Sequence, residues 1–202
     1  MLFRSRQLLA FDPSAQAQEM LEHVNRMRTS PQAELPVLFT SLSPLTARDA
    51  DANAAIRYFG DPTAASIQGE WPSLRAAPPL AWSESLVSAA TRHSELMIQY
   101  DSQSHQLPGE PGLADRFRQA GYGDLSGGGE NVYAYAKNVF NAHSSFAIDW
   151  AVAGRGHRLN MMNPQFRDFG VGLVAQGSAS KRVGPLVVTQ DFRSEEHTSE
   201  LQ

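Results

Sequence analysis

The chain has 202 residues, enough for one sizeable hydrophobic core and short for two, so length predicts a single domain with elaborations. Its formal net charge of −4 gives no basic footprint for nucleic acid, and no apolar run approaches the roughly 18 residues that a membrane span needs. The absence of cysteine excludes disulfides, thiolate metal sites and cysteine nucleophiles, while 42% hydrophobic and 19% charged residues are ordinary for a globular protein.

The start of the chain carries positive charge but only a short apolar run, Leu8 to Phe11, so residues 1–12 read as an N-terminal extension without a complete signal peptide. Residues 193–202 (RSEEHTSELQ) are what the sequencing-adapter codons AGA TCG GAA GAG CAC ACG TCT GAA CTC CAG encode. Fold reasoning therefore stops at Phe192, and His197 carries no functional weight.

Asp12-Pro13 predicts an N-cap with proline at the first helical position, opening a helix over 13–29 whose Met20, Leu21, Val24 and Met27 recur at helical spacing. Thr29-Ser30-Pro31 ends it. Asn25 and Arg28 share a face and read as solvated polar positions or as a cap for a neighbouring loop. From 31 to 78 the pattern weakens; only 52–59 looks helical, and the segment reads as an insertion packed on the domain. Ser83 caps a second helix running to Tyr100, with Leu86, Ala90, His93 and Met97 on one face, which makes His93 a core histidine. A short helix over 113–120 is stopped by Gly121.

Gly127-Gly128-Gly129 feed an alternating segment that reaches Tyr135. No helix and no Lys-Ser/Thr follow, so the glycines read as a turn and a close backbone approach rather than a nucleotide loop. A helix over 138–152 places Val139, His143, Phe146, Ala147 and Trp150 on one stripe, with His143 in the core. The stretch from Gly154 to Pro164 then holds a glycine-flanked His157-Arg158 pair at a junction. Two β-runs, 169–176 and 186–192, make a hairpin.

Three segments carry chemistry: Ser104-His105, Gly129-Glu130-Asn131 and Gly156-His157-Arg158. Two neutral imidazoles and a carboxylate are the raw material of a zinc site, and equally of a general base with an orienting partner. Their order and context matter more than their spacing. The chain resembles the CAP superfamily (cysteine-rich secretory, antigen five and pathogenesis-related proteins) in its bacterial SCP-like branch. The resemblance rests on a collinear set of motifs. These are Leu21 to Arg28, Pro79 to Trp82, Ala89 to Met97, Asp101 to His105, Arg116 with Ala120-Gly121-Tyr122, Gly129 to Asn131, Gly156 to Asn160, Asn163 to Phe166, Phe169 to Gly172 and Val188 to Phe192. Together they span 13–192 apart from the insertion.

The resemblance implies an α/β fold, a three-layer α-β-α sandwich with a central, largely antiparallel sheet. It also implies a cleft where two histidines and two acids meet. By match, His105 and His157 are the histidines, the expected metal ligands, and Glu130 is one acid; Asn131 and Arg158 stand beside them. The second acid is unmatched, and Asp149 is the nearest carboxylate. The relatives point to a secreted, extracellular protein with its leader missing from this chain, and to a divalent cation, zinc first, with no nucleotide or organic cofactor. The expected ligand is a lipid, glycan or protein. The cleft reads first as a binding module, second as a structural polar network, and third as a hydrolase with His105, Glu130 and His157 as catalytic candidates. The hydrolase lacks a nucleophile motif, since Ser102, Ser104 and Ser126 have no strand-turn-helix setting.

Overall fold

Ser14, not Asp12, starts the first helix. In the computed structural model, which describes residues 12–122 and 127–194, its hydroxyl accepts from the Ala17 N–H and opens α1 (Ala15–Thr29). Pro13 thus lies outside the helix rather than at its first position. Met20, Val24 and Met27 form the expected buried stripe. Arg28 departs from its expectation. It is fully buried, and its guanidinium donates to the carbonyls of Pro78, Met161, Asn163 and Phe166 at 2.5–3.1 Å. Burial lowers its pKa to about 10, which still leaves it charged at neutral pH. Asn25 acts as the cap expected of it, bonding both the N–H and the carbonyl of Leu80.

The segment 31–78 is far more ordered than its sequence pattern suggests. It folds as α2 (Pro31–Leu38), a hairpin of β1 (Phe39–Leu42) and β2 (Leu45–Ala47), α3 (Ala50–Phe59), α4 (Ala64–Glu70) and a 3₁₀ turn at Trp71–Ser73. The helix expected over 52–59 is α3; each of the other elements is too short to display a period, so local chemistry and burial define it instead. Asp49 and Thr63 cap α3 and α4, and Gly60 ends α3 in the left-handed region. Leu38, Ile56, Ile67 and Trp71 enter the same apolar cluster as Met20 and Val24, and the Trp71 indole donates to the Pro31 carbonyl. The insertion therefore shares the main core.

The principal sheet comprises β3 (Ala81–Trp82), β4 (Gly128–Ala136), β5 (Phe166–Ala175) and β6 (Leu186–Ser194) in the order β3-β5-β6-β4. Only β3 and β5 run parallel. On one face lie α1, α7 (Val139–Ile148) and α8 (Gly156–Met162); α5 (Glu84–Tyr100) and α6 (Leu113–Gln119) cover the other. This is the three-layer sandwich. β6 continues two residues past Phe192: Arg193 pairs with Gly128 and its guanidinium lies 4.0 Å over the Tyr122 ring. Residues 195–202 and 1–11 lie outside the described residues. Among the described residues no helix is long and apolar enough to cross a membrane.

α5 lies directly on the sheet because β5 has glycine beneath it. A Cβ on Gly170 would stand 2.2 Å from the Leu86 carbonyl carbon, and one on Gly172 would stand 2.4 Å from that of Ala90. On the opposite face α7 ends at Ile148, four residues before the periodicity suggests, because Asp149 turns left-handed at φ 59 and its carboxylate is used elsewhere. His143 is buried in α7, as expected, with Nε2 2.9 Å from Glu34, which also receives a two-point bond from Arg26. Burial opposes ionisation of Glu34, but the Arg26 and His143 hydrogen bonds outweigh it and hold the carboxyl at about 2. His23 stacks on His143 at 5.0 Å, and burial, reinforced by His143 and Arg26, pushes its pKa down to about 4.

Two outcomes follow from this packing. Gly170→Ala should destabilise the fold by about 3 kcal/mol in urea denaturation, since backbone rather than a movable side chain blocks the methyl group. His23 is neutral in the fold but takes up a proton when unfolded. Its contribution is therefore complete above 6.5 and declines as pH falls from 6.5 towards about 4, by up to about 3 kcal/mol. Denaturation series across that window should show a shallower decline for His23→Gln; identical slopes would refute the assignment.

Candidate functional site

β4 is an edge strand, and its alternation sends consecutive side chains to opposite faces. Glu130 faces α5 and α6. Its Oε1 meets His105 Nδ1 at 2.9 Å, its Oε2 meets Arg116 Nη1 at 2.7 Å, and His93 Nε2 is 3.8 Å away. Arg116 also lies 3.6 Å from Glu110, which holds His93 Nδ1 at 2.7 Å; the other His93 nitrogen meets the Ser104 carbonyl at 2.9 Å. His93 is thus a core histidine with both nitrogens engaged, and it fixes the loop that carries His105.

Burial alone would raise the Glu130 carboxyl, but the His105 and Arg116 hydrogen bonds hold it below its ordinary value. Asp191, directly across from Glu130 on β6, behaves oppositely. It is fully buried with neither oxygen hydrogen-bonded, and burial plus the Glu130 charge drives its carboxyl well above the usual range. Two adjacent carboxyls cannot both ionise cheaply, so Asp191 stays neutral behind an ionised Glu130.

Asn131 faces the other layer. Its Nδ2 donates to the His157 carbonyl and to Gln190, while Asn160 donates to Asn131 Oδ1 and to the Glu130 carbonyl. Gly129 makes room for this link, since a Cβ there would lie 3.0 Å from Asn160 Oδ1. His157 sits in the first turn of α8 with Nδ1 2.6 Å from Asp149 Oδ1, and Asp149 Oδ2 accepts the N–H groups of His157 and Arg158. Asp149, the carboxylate nearest in sequence, is thus the acid that pairs with His157. Arg158 is structural: it is buried, donates to the Ala147 and Ile148 carbonyls that end α7, and pairs with Glu70 of the insertion.

The structure thus forms two histidine–carboxylate pairs, His105 with Glu130 and His157 with Asp149. Adjacent residues of one edge strand tie them down from its two faces. In each pair Nδ1 is held by the acid and Nε2 bonds no described residue. The His105 side chain is 59% exposed and that of His157 20%. A pocket of about 150 Å³ borders His157 and the edge of β4.

The profile of the CAP, cysteine-rich secretory protein family matches residues 21–192. The chain belongs to the CAP family. Among solved structures, it resembles an extracellular SCP-domain protein from Bacillus anthracis at 26% identity over 65% of this chain, with a TM-score of 0.48. The match spans only 37% of that protein's length. It also resembles Schistosoma mansoni venom allergen-like protein 4 (11% identity, 91% of this chain and 92% of that one, TM-score 0.47). A third similarity is to the CAP domain of Enterococcal PrgA (12% identity, 61% of this chain and 56% of that one, TM-score 0.32). Curated proteins yield no match.

In this CAP domain a metal could be held by imidazoles only in part. An acid on Nδ1 with Nε2 left free is the usual preparation of a ligating histidine, so each pair fits the donor chemistry of zinc. Among the described residues, however, no three His, Asp or Glu side chains are placed to hold one ion, so a closed structural site does not fit. Sequence reasoning missed Arg116, Glu110 and Asp191 as partners of the site. One signal was available for Asp191: Thr189, Gln190 and Asp191 interrupt a strand otherwise apolar enough to be covered on both faces.

Asp149 is the sharpest test of the local geometry. Asp149→Ala should cost about 2–4 kcal/mol by denaturation, because it orphans two backbone donors and places alanine at positive φ. Asp149→Asn, which tolerates that φ and still accepts hydrogen bonds, should cost less than half as much.

Proposed function

We propose that this chain is an extracellular, bacterial CAP-domain binding module. Its cleft is formed by His105, Glu130, His157 and Asp149, and a weakly held divalent cation, zinc by donor chemistry, sits at His105 and His157. The observation that carries this reading is the paired preparation of the two rings: each Nδ1 is spent on a carboxylate, and each Nε2 is left unbonded beside the same edge strand. A bound ion would supply a Lewis-acid point for an oxygen of the ligand. Glu130 and Asp149 orient the rings, while Arg116 keeps Glu130 ionised.

Binding is favoured over hydrolysis by what surrounds the imidazoles. Among the described residues no hydroxyl hydrogen-bonds to Nε2 of either ring, so no nucleophile–base pair is assembled. The polar cluster also knits loops to the sheet, which makes a structural contribution inseparable from the binding role.

Zinc titration by calorimetry tests the assignment. The wild-type chain should bind one ion, and His105→Ala together with His157→Ala should abolish the heat. Retained binding in the double variant would show that other groups hold the metal.

A further inference from the structure

The pocket beside His157 carries more information than its place in the cleft. It holds about 150 Å³, close to the liquid volume of about five waters, and so admits one ring-sized group rather than an extended chain. Its walls include four aromatic rings, Tyr133 of β4, Phe146 of α7, Trp150 and Phe59 at the end of α3. Tyr133 lies edge-on to both Phe146 and Trp150 at 6.3 Å, and Phe146 lies 5.4 Å from the His157 ring. The aromatic strip continues outwards. Tyr58, 84% exposed, packs on Phe59, and Tyr135, 42% exposed, packs on Tyr133.

Polar groups interrupt these walls. His157 Nε2, the Trp150 indole N–H and the Gln103 side-chain NH₂ make no hydrogen bond to described residues, although Gln103 Oε1 is fixed by the Ala134 N–H. Asp149 is the one carboxylate lining the pocket, and its oxygens are already taken by His157 and Arg158. Apart from a cation at His157, the side chains lining the pocket therefore offer no free charge to a charged ligand. A purely apolar side chain would bury the three polar groups unpaired, at a cost that disfavours it.

We propose that this pocket is a subsite for one neutral pyranose ring of a glycan, an assignment that rests on reading the cleft as a binding module. A pyranose has an apolar C–H face that packs on aromatic rings, and equatorial hydroxyls that both donate and accept. The first suits Trp150, Tyr133 and Phe59. The second suits Gln103 and the indole N–H, together with His157 Nε2 when no metal occupies it. The exposed Tyr58 and Tyr135 extend the aromatic surface for neighbouring sugar units. Phe59 comes from the insertion, so the insertion builds part of the recognition surface.

The test is an NMR titration of the whole chain, labelled at nitrogen. Neutral oligosaccharides (chitotriose, cellotriose and maltotriose) would be compared with phosphocholine and an aromatic tripeptide. At least one oligosaccharide should shift the Trp150 indole and Gln103 side-chain resonances, and Phe59→Ala and Trp150→Ala should each weaken its binding roughly tenfold. Phe59 is 53% exposed, so its replacement leaves the fold intact and keeps the test decisive. The proposal is overturned if no oligosaccharide shifts these resonances, if both variants bind as tightly as wild type, or if only phosphocholine or the tripeptide binds there. Zinc binding by the wild-type chain separates the two claims: zinc bound with no response to any oligosaccharide refutes the glycan subsite and leaves the histidine cleft standing.

Discussion

One buried guanidinium holds the molecule's layers in register. Arg28 of α1 reaches the segment before β3, the end of α8 and the start of β5 through four carbonyls. The Met161, Asn163 and Phe166 carbonyls lie where α8 ends and β5 begins, and the Pro78 carbonyl lies in the loop before β3. The cation binds acceptors from three different chain segments at once; the Asn163 carbonyl also accepts from the Phe166 N–H and the Phe166 carbonyl from Arg167. Removing it would cost the Pro78 and Met161 carbonyls their side-chain donor inside the fold, the costly side of hydrogen-bond energetics. Because α8 is fixed at its far end in this way, Asp149 can fix its near end. His157 is then held between two anchors rather than on a free loop.

The edge strand β4 distributes the site. Alternation puts Glu130 against α5 and α6 and Asn131 against α8, so two loops distant in sequence meet at consecutive residues. The electrostatics on the first face are settled by number. Glu110, Glu130 and Asp191 crowd around Arg116, and one cation cannot keep three acids ionised in a buried space. Asp191, which has no hydrogen bond, is the one that gives up its charge. Glu130 keeps its charge because His105 and Arg116 both donate to it, and that charge orients the His105 ring.

The insertion changes what the cleft is. Arg155 and Arg158, on either side of His157, pair with Asp61 and Glu70 of the insertion. Burial and the Arg155 and Arg158 hydrogen bonds oppose each other at Glu70, and the arginines prevail, holding it below its ordinary value. The same insertion brings Phe59 to the pocket wall. Anchoring and wall-building by one segment make the shape of the pocket depend on residues 31–78 as well as on the sheet.

Much of the fold was legible from the residues. The stripes of α1 and α5 and the β5–β6 hairpin each follow from a local period, and the collinear motifs that include His105, Glu130 and His157 marked the family. What stayed hidden has a common cause. Apart from α3, the elements of residues 31–78 are too short to show a period, the stop of α7 depends on a carboxylate bonding forward to His157 and Arg158, and the buried state of Arg28 depends on carbonyls as much as 138 residues away. A sequence displays the periodicity of a long element and the chemistry of a side chain, because both are local. Which acid faces which histidine, which carboxyl stays neutral and which aromatic ring completes the pocket are set by contacts between distant segments, and those only the tertiary structure decides.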